Sequence, residues 1–121
     1  VEFVKEQLAQ HECPAKALYQ IEVAIEEILV NIVSYAQLSD DDGIEVRCEV
    51  LTDPLRVVLQ FLDRGVPFDP LQKEDPDISP DALMDRVGGL GIFMVKKSMD
   101  EITYRYEGGR NILSIRKNLR S

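Results

Sequence analysis

The sequence feature that most constrains the fold is an apolar stretch over residues 21–36, IEVAIEEILVNIVSYA. Isoleucines recur in it at steps of three and four residues, at positions 21, 25, 28 and 32, and therefore share one face of a helix. Valines at positions 23, 30 and 33 interrupt the opposite face. The pattern predicts one long helix that packs on more than one side, with the rest of the chain arranged around it.

A polar pair lies within this predicted helix. Glu27 and Asn31 are four residues apart, so their side chains are neighbours on its surface. Burial of a carboxylate and an amide on a largely apolar helix is costly unless other groups satisfy them. Taken alone, the pair is explained best by a helix edge where both groups reach water or the backbone, and only other parts of the chain can point to a functional role.

The overall composition excludes several classes of protein. The chain has 121 residues, 45% hydrophobic and 30% charged, which suits one compact domain over residues 1–121. Its formal net charge of −8 argues against nucleic acid or an anionic membrane as the main partner. No apolar run is long enough to span a bilayer and no signal peptide is visible, so we expect a cytoplasmic protein. The chain begins at Val1 without a methionine, and we expect it to be a trimmed piece.

Histidine and cysteine are too sparse for most triad or metal chemistry. His11 is the only histidine, which argues against a histidine-based triad or a zinc site. Cys13 and Cys48 lack metal-ligand spacing and are interpreted as free thiols of a cytosolic protein. Candidate chemistry therefore rests on carboxylates, amides and glycines.

Periodicity and turn residues predict the remaining elements. We predict helices over residues 1–9, 14–36 and 92–99 and strands over residues 44–51, 55–62, 100–107 and 110–117. Residues 64–87 hold four of the six prolines and many acids, and a loop this long in a compact domain is usually functional or mobile. A short helix is expected within it, over residues 80–85. This order predicts an α+β fold, a two-layer sandwich whose mixed, mostly antiparallel sheet is covered on one face by helices.

Three motifs at separate places in the chain are best interpreted together. The Glu27/Asn31 pair is the first, and DRGVPF over residues 63–68, at the end of the second strand, is the second. The third is GGLG over residues 88–91, where glycines let backbone N–H groups approach a phosphate and the dipole of the following helix favours its charge. Lys96 and Lys97 lie further along that helix, and a solvated face explains them best. Each motif alone is weak, whereas the combination is specific.

In this order the motifs resemble those of the histidine-kinase-like ATPases, also called the GHKL or Bergerat family. ExxxN at residues 27–31 resembles the family's N box, DxGxPF at residues 63–68 its first glycine box, and GLG at residues 89–91 the core of its second. The continuation PFDP, the short lid and the small size resemble one branch, the anti-sigma-factor serine/threonine kinases of bacteria. Two features depart from the family: no strand is evident before the first helix, and Ser-Tyr-Ala stands at residues 34–36 where many members of this branch have histidine-glycine.

The resemblance implies that the second motif binds the adenine of ATP. Asp63 would accept a hydrogen bond from the adenine amino group, because a carboxylate is only an acceptor and so selects adenine over guanine. Gly65 would lie against the purine, where a side chain would collide. Phe68 would begin a lid over residues 69–87 that closes over the nucleotide and excludes water.

By the same resemblance, the first and third motifs bind the phosphates and carry out the transfer. Asn31 would offer its amide oxygen to Mg²⁺, and Glu27 would be the base that takes the proton from an attacking hydroxyl. Phosphate contacts would come from the glycine turn and the start of the helix that follows it: Gly88, Gly89, Leu90, Gly91 and Ile92.

The implied function is ATP-dependent phosphorylation of a protein serine or threonine, in a system that regulates transcription by partner switching. The resemblance implies two partners, a sigma factor that the kinase inhibits and an antagonist protein that carries the target serine; homodimers are also common in this branch. Three alternatives stay open: a nucleotide-gated binding module without kinase activity, an ATP hydrolase of the same fold, and a catalytic fragment of a histidine kinase. The presence of Glu27 argues against the binding module without kinase activity, since binding alone needs no base.

Overall fold

Three α-helices and four β-strands make up the part of the chain that the computed structural model describes, residues 2–11, 13–35, 43–72 and 91–119. The helices are α1 (Glu2–Ala9), α2 (Ala15–Tyr35) and α3 (Gly91–Ser98), and the strands are β1 (Glu45–Leu51), β2 (Arg56–Asp63), β3 (Glu101–Glu107) and β4 (Arg110–Asn118). A short 3-10 helix, Pro70–Gln72, follows β2. The predicted order of helices and strands is confirmed, with small shifts at their ends. The predicted helix over residues 80–85 and the proposed lid beyond residue 72 lie outside the described residues.

The strands form one antiparallel sheet in the order β1-β2-β4-β3. The prediction that β1 and β2 pair across a short turn is confirmed, with Glu45 opposite Leu62 and Leu51 opposite Arg56. β3 and β4 form the predicted hairpin, whose turn places Gly108 at φ 61° and Gly109 at φ 76°. Two successive positive φ angles match the twist of tight hairpins and strongly favour glycine, so the Gly-Gly pair determines where this hairpin turns.

The core lies between α2 and the sheet. The four isoleucines of α2, at positions 21, 25, 28 and 32, are all buried, and Ile28 is completely inaccessible. They belong to the same apolar cluster as the alternating residues Val57, Leu59 and Phe61 of the central strand β2. Helical and strand periodicities therefore meet at one interface, and the predicted α+β fold is confirmed.

The opposite face of α2 differs in part from the sequence prediction. The helix packs against α3 as well as the sheet, and Val23 is half-buried beside α3. However, Val30 is 60% exposed and Val33 is 69% exposed. The packing predicted for the valine face is therefore wrong at these two positions, because they lie on the side of α2 that faces away from the core.

The C-terminal end of α3 is attached to β4 by hydrogen bonds. Lys117 Nζ donates to the Ser98 carbonyl oxygen over 2.7 Å, at the helix end where the dipole favours a cation. The Asp100 N–H donates to the Arg116 carbonyl oxygen over 2.9 Å, and the Asn118 N–H donates to Asp100 Oδ2 over 2.6 Å. These bonds hold the end of α3 against the sheet immediately before β3 begins.

The described part of the chain has neither a membrane-spanning helix nor a cluster of metal-binding side chains. Within these ranges, no helix combines the length and the apolar character needed to cross a membrane. The same residues contain no group of three or more His, Cys, Asp or Glu side chains that could hold a metal ion. Cys13 and Cys48 form no disulfide bond, and burial raises the pKa of the Cys48 thiol, which keeps it protonated near neutral pH.

Candidate functional site

The last residue of β2 carries a buried carboxylate. Asp63 is 2% exposed, although the strand ends there and the chain turns. Its Oδ1 accepts a hydrogen bond of 2.9 Å from the Gly65 N–H, the local turn that aspartate commonly forms with the backbone two residues ahead. This bond directs the chain away from the sheet and holds the buried Gly65 next to the carboxylate.

Asn111 on β4 lies opposite Asp63 in the sheet register and is also buried. Its Nδ2 donates to Asp63 Oδ1 over 2.9 Å and to the Val66 carbonyl oxygen over 2.8 Å. Its Oδ1 accepts from the Phe68 N–H over 3.0 Å and from the Tyr104 hydroxyl of β3. We call Asp63, Asn111 and Tyr104 the strand-end cluster. It joins three neighbouring strands to the loop that leaves β2.

Asn111 was not among the residues predicted from the sequence. Leu113 and Ile115, which share its face of β4 by the alternation of a strand, are both buried in the core. A polar side chain at an inward position of such a strand needs hydrogen-bond partners. This break in the apolar pattern is the feature of the sequence that could have marked Asn111 as a candidate site residue.

The Tyr104 hydroxyl is a stable donor within the strand-end cluster. Burial raises the pKa of Tyr104, and the nearby carboxylates of Asp69 and Asp63 raise it further, whereas the backbone at Phe68 lowers it. The net change is upward, so the phenol keeps its proton near neutral pH. Tyr104 therefore donates its hydrogen bond to Asn111 throughout the physiological range.

A small cavity lies between α2 and the strand-end cluster. Asn31, Asp63 and Phe68, three of the residues predicted for the site, line it. Tyr104 and Asn111 line it as well, and apolar side chains complete the wall: Ile28, Ile32, Phe61, Pro70 and Leu113. The structure thus brings together predicted residues from α2, from the end of β2 and from the loop that follows it.

Glu27 and Asn31, which we call the helix pair, lie one turn apart on α2. Asn31 Nδ2 donates to the Glu27 backbone carbonyl oxygen over 3.0 Å, which leaves Asn31 Oδ1 as the acceptor available to a cation. Glu27 is half-buried and lines a groove of about 390 Å³ between α2 and α3, with Tyr19, Val23 and Met94. Since Asn31 lines the cavity beside the strand-end cluster, the helix pair connects two concave regions.

Part of the glycine motif belongs to the described structure. Gly91 is the first residue of α3, whereas the predicted phosphate-binding residues 88–90 lie outside the described residues. The Ile92 side chain is 6% exposed and packs in the core, so only its backbone can contact a ligand. Lys97 is exposed, and its ammonium group lies 5.4 Å from the centre of the Phe93 ring, in agreement with a solvated face at this position.

Comparison with known proteins identifies the family. Residues 1–117 match the family described as the histidine kinase-like ATPase domain. The chain belongs to the histidine kinase-like ATPase family. The resemblance drawn from the three motifs is therefore confirmed.

Curated relatives of this ATPase domain are protein kinases by name. "Serine-protein kinase RsbW" of Listeria monocytogenes serotype 4a (strain HCC23) is 31% identical over 103 residues, covering 81% of this chain and 64% of that protein. Proteins of the same name from Bacillus licheniformis (strain ATCC 14580) and Staphylococcus aureus (strain JH9) are each 32% identical and cover 74% of this chain, and 58% and 59% of their own lengths. The chain thus spans less than two thirds of the length of these relatives.

Two solved histidine kinases share the fold of this ATPase domain. The histidine kinase domain of the blue-light activated kinase from Erythrobacter litoralis EL346 has a TM-score of 0.61 at 22% identity, covering 88% of this chain and 46% of that one. The Acinetobacter baumannii histidine kinase AdeS has a TM-score of 0.55 at 19% identity, covering 85% of this chain and 47% of that one. At these identities the similarity shows the fold alone.

Proposed function

We propose that this histidine kinase-like ATPase is a cytoplasmic anti-sigma regulatory factor. It binds a sigma factor and uses ATP to phosphorylate a serine or threonine of an antagonist protein, and so regulates transcription by partner switching. The observation that carries the proposal is the cavity that Asn31, Asp63 and Phe68 line together, one helical turn from Glu27. The names of the relatives, which are serine-protein kinases, support the reaction type.

Asp63 is the proposed acceptor for the adenine amino group. Its Oδ1 is occupied by Gly65 and Asn111, and no donor among the described residues lies on Oδ2. A carboxylate without a proton accepts from the amino group of adenine and repels the carbonyl oxygen that guanine carries at the same place. Gly65 leaves room for the flat face of the purine, and Phe68 begins the segment that would cover it.

Glu27 and Asn31 are the proposed transfer residues. Asn31 would hold Mg²⁺ through Oδ1, an oxygen donor that suits a hard cation, and Mg²⁺ neutralises charge on the triphosphate when it is bound. The Glu27 carboxylate would take the proton of the substrate hydroxyl as that oxygen attacks phosphorus. Its position on an open groove between α2 and α3 suits a substrate that is itself a protein. Backbone N–H groups of residues 88–92 would contact the phosphates.

Transfer of labelled phosphate tests the proposed function. The chain is incubated with Mg²⁺, γ-labelled ATP and candidate antagonist proteins, and we expect label on a serine or threonine of one of them. Label released as inorganic phosphate without a partner would instead indicate an ATP hydrolase. ATP binding with neither transfer nor release would indicate a nucleotide-gated binding module, and absence of ATP binding would overturn the proposal as a whole.

A further inference from the structure

The donor side of the Asn111 amide is fully used. The side chain is 4% exposed, and three acceptors surround Nδ2: Asp63 Oδ1 at 2.9 Å, the Val66 carbonyl oxygen at 2.8 Å and the Gly65 carbonyl oxygen at 3.4 Å. A primary amide offers two N–H groups, so both are engaged. One N–H bonds to the carboxylate of Asp63 and the other to the backbone of the loop after β2.

The acceptor side of Asn111 is equally engaged. Its Oδ1 accepts from the Phe68 N–H at 3.0 Å and from the Tyr104 hydroxyl, which uses both lone pairs of the amide oxygen. With the amide reversed, its NH2 group would face two donors and its oxygen would face a carboxylate and a carbonyl. The surroundings therefore allow only one orientation of this side chain.

We propose that Asn111 is a positioning residue that makes Asp63 select adenine over guanine. The inference rests on the proposed function, in which Asp63 accepts from the base. Guanine presents two adjacent N–H donors, N1–H and the N2 amino group, to which a carboxylate with both oxygens available can bond in a bidentate pair. Because Asn111 and Gly65 occupy Oδ1, Asp63 offers one oxygen, which matches the single amino group of adenine. Asn111 thus removes the bidentate mode that guanine needs.

A second consequence concerns the loop that leaves β2. Asn111 bonds to the carbonyl oxygen of Val66 and to the N–H of Phe68, so it holds the loop at two points only two residues apart. Tyr104 fixes the amide from β3. The start of the proposed lid is therefore anchored to the sheet before any nucleotide binds.

The ratio of ATP to GTP affinity tests the selectivity. We compare the parent chain with Asn111→Leu, which has a similar volume and no polar atoms, by titration calorimetry with each nucleotide and Mg²⁺. We expect the ATP/GTP affinity ratio to fall at least about ten-fold, because the bidentate mode becomes available to guanine. A loss of folded protein would lower both affinities equally and would leave the ratio unchanged. Ser114→Ala is the matched control: it removes a hydrogen bond of 3.3 Å to Gln60 between the same two strands, away from the cluster, and should keep the parental ratio.

Amide hydrogen exchange of the ligand-free chain tests the anchoring separately. We expect the Gly65 and Phe68 amides to exchange at least about ten-fold faster in Asn111→Leu than in Ser114→Ala. If Asn111→Leu does not fold, Tyr104→Phe is tested in its place. We expect the Gly65 and Phe68 amides to exchange about three-fold faster and the ATP/GTP affinity ratio to fall about three-fold. Parental values of the ratio in the folded variant would overturn the selectivity role of Asn111. A parent chain that binds neither nucleotide would instead overturn the proposed function, and the exchange rates would still report on the anchoring.

Discussion

The strand-end cluster and the helix pair differ in how deeply their polar side chains are buried and how fully they are hydrogen-bonded, although both belong to one candidate site. In the cluster, Asp63 and Asn111 are 2% and 4% exposed and are bonded to each other and to the loop that follows β2. In the pair, Glu27 and Asn31 are half-buried, and the bond between them joins the Asn31 side chain to the backbone of its own helix. One region has its partners before any ligand arrives, whereas the other borders open space.

We propose that this difference separates recognition of the base from phosphoryl transfer. Buried polar groups are stable only when their partners are present in the folded protein, and such a network is rigid and can read the shape of a base. Groups that must contact a cation, a phosphate and the hydroxyl of a second protein have to stay approachable. We therefore propose that the sheet provides the selectivity and that α2 provides the chemistry.

The negative charge of the chain affects both regions. The chain carries a formal charge of −8, and both regions contain a carboxylate, Glu27 in the pair and Asp63 in the cluster. A triphosphate would meet repulsion in this field unless a cation accompanies it. Dependence on Mg²⁺ should therefore be confined to the helix pair, while base recognition should not require the metal.

The largest effect is expected for Glu27→Gln. Removal of a general base should lower the rate of phosphoryl transfer by about 10² to 10⁴-fold, whereas binding of Mg-ATP should stay near the parental value because recognition lies in the sheet. Transfer is measured with labelled ATP and binding by calorimetry. Glu26→Gln, an identical change at the exposed neighbouring position, is the control. Transfer at the parental rate in Glu27→Gln would remove Glu27 from the reaction.

Asp63→Asn should weaken ATP binding by about 10 to 100-fold, because an NH2 donor takes the place of Oδ2 and the hydrogen bond from the adenine amino group is lost. The amide oxygen can still accept from Gly65 and Asn111, so we expect the loop to keep its conformation. Asp53→Asn, the same change at an exposed position in the turn before β2, should have no effect. Equal affinities of the two variants in calorimetry would exclude Asp63 as a base-binding residue.

Asn31→Ala should weaken ATP binding about ten-fold in the presence of Mg²⁺ and leave binding in EDTA unchanged, because only the metal ligand is removed. Asn31→Asp restores an oxygen donor and should recover most of the Mg²⁺-dependent affinity. Calorimetry with and without the metal measures both. An equal loss in EDTA would contradict the assignment and would indicate that Asn31 contacts the nucleotide or supports α2.

The smallest effect concerns pH and the strand-end cluster. The pKa of Tyr104 is raised above its ordinary value of 10.0 in the folded chain, so the unfolded phenol loses its proton first. The contribution of Tyr104 to the free energy of unfolding is therefore fully present below pH 10.0 and declines as the pH rises through the raised pKa. Tyr104→Phe lacks this titration, so its free energy of unfolding in urea should fall less steeply above that pH. Parallel pH profiles for the two chains would contradict burial as the dominant influence on Tyr104.

Local patterns predicted most of the fold. The isoleucine spacing of α2, the alternation along β1 and the Gly108-Gly109 turn each depend on residues close together in the chain, where periodicity and turn chemistry are informative. Burial of the isoleucines and pairing of the strands followed from these patterns. The packing predicted for Val30 and Val33 was wrong because an apolar side chain on a helix can remain exposed to solvent.

The candidate site was predicted less completely, for a physical reason. Asp63 and Asn31 belong to short motifs and were predicted from them, whereas Asn111 bonds to a partner 48 positions away in the chain. Only the β2–β4 register brings the two together, and that register is a property of the whole sheet. The separation of Glu27 and Asn31 onto two concave regions also depends on where α3 packs against α2.

The bonds between α3 and β4 limit how the site can respond to a nucleotide. Lys117 and the backbone around Asp100 fix the far end of α3, whereas Gly91 begins the end that faces the proposed phosphates. Ile92, next to Gly91, is also buried in the core, so we expect only a small adjustment of this helix on phosphate binding, largest at Gly91 and smallest at Ser98.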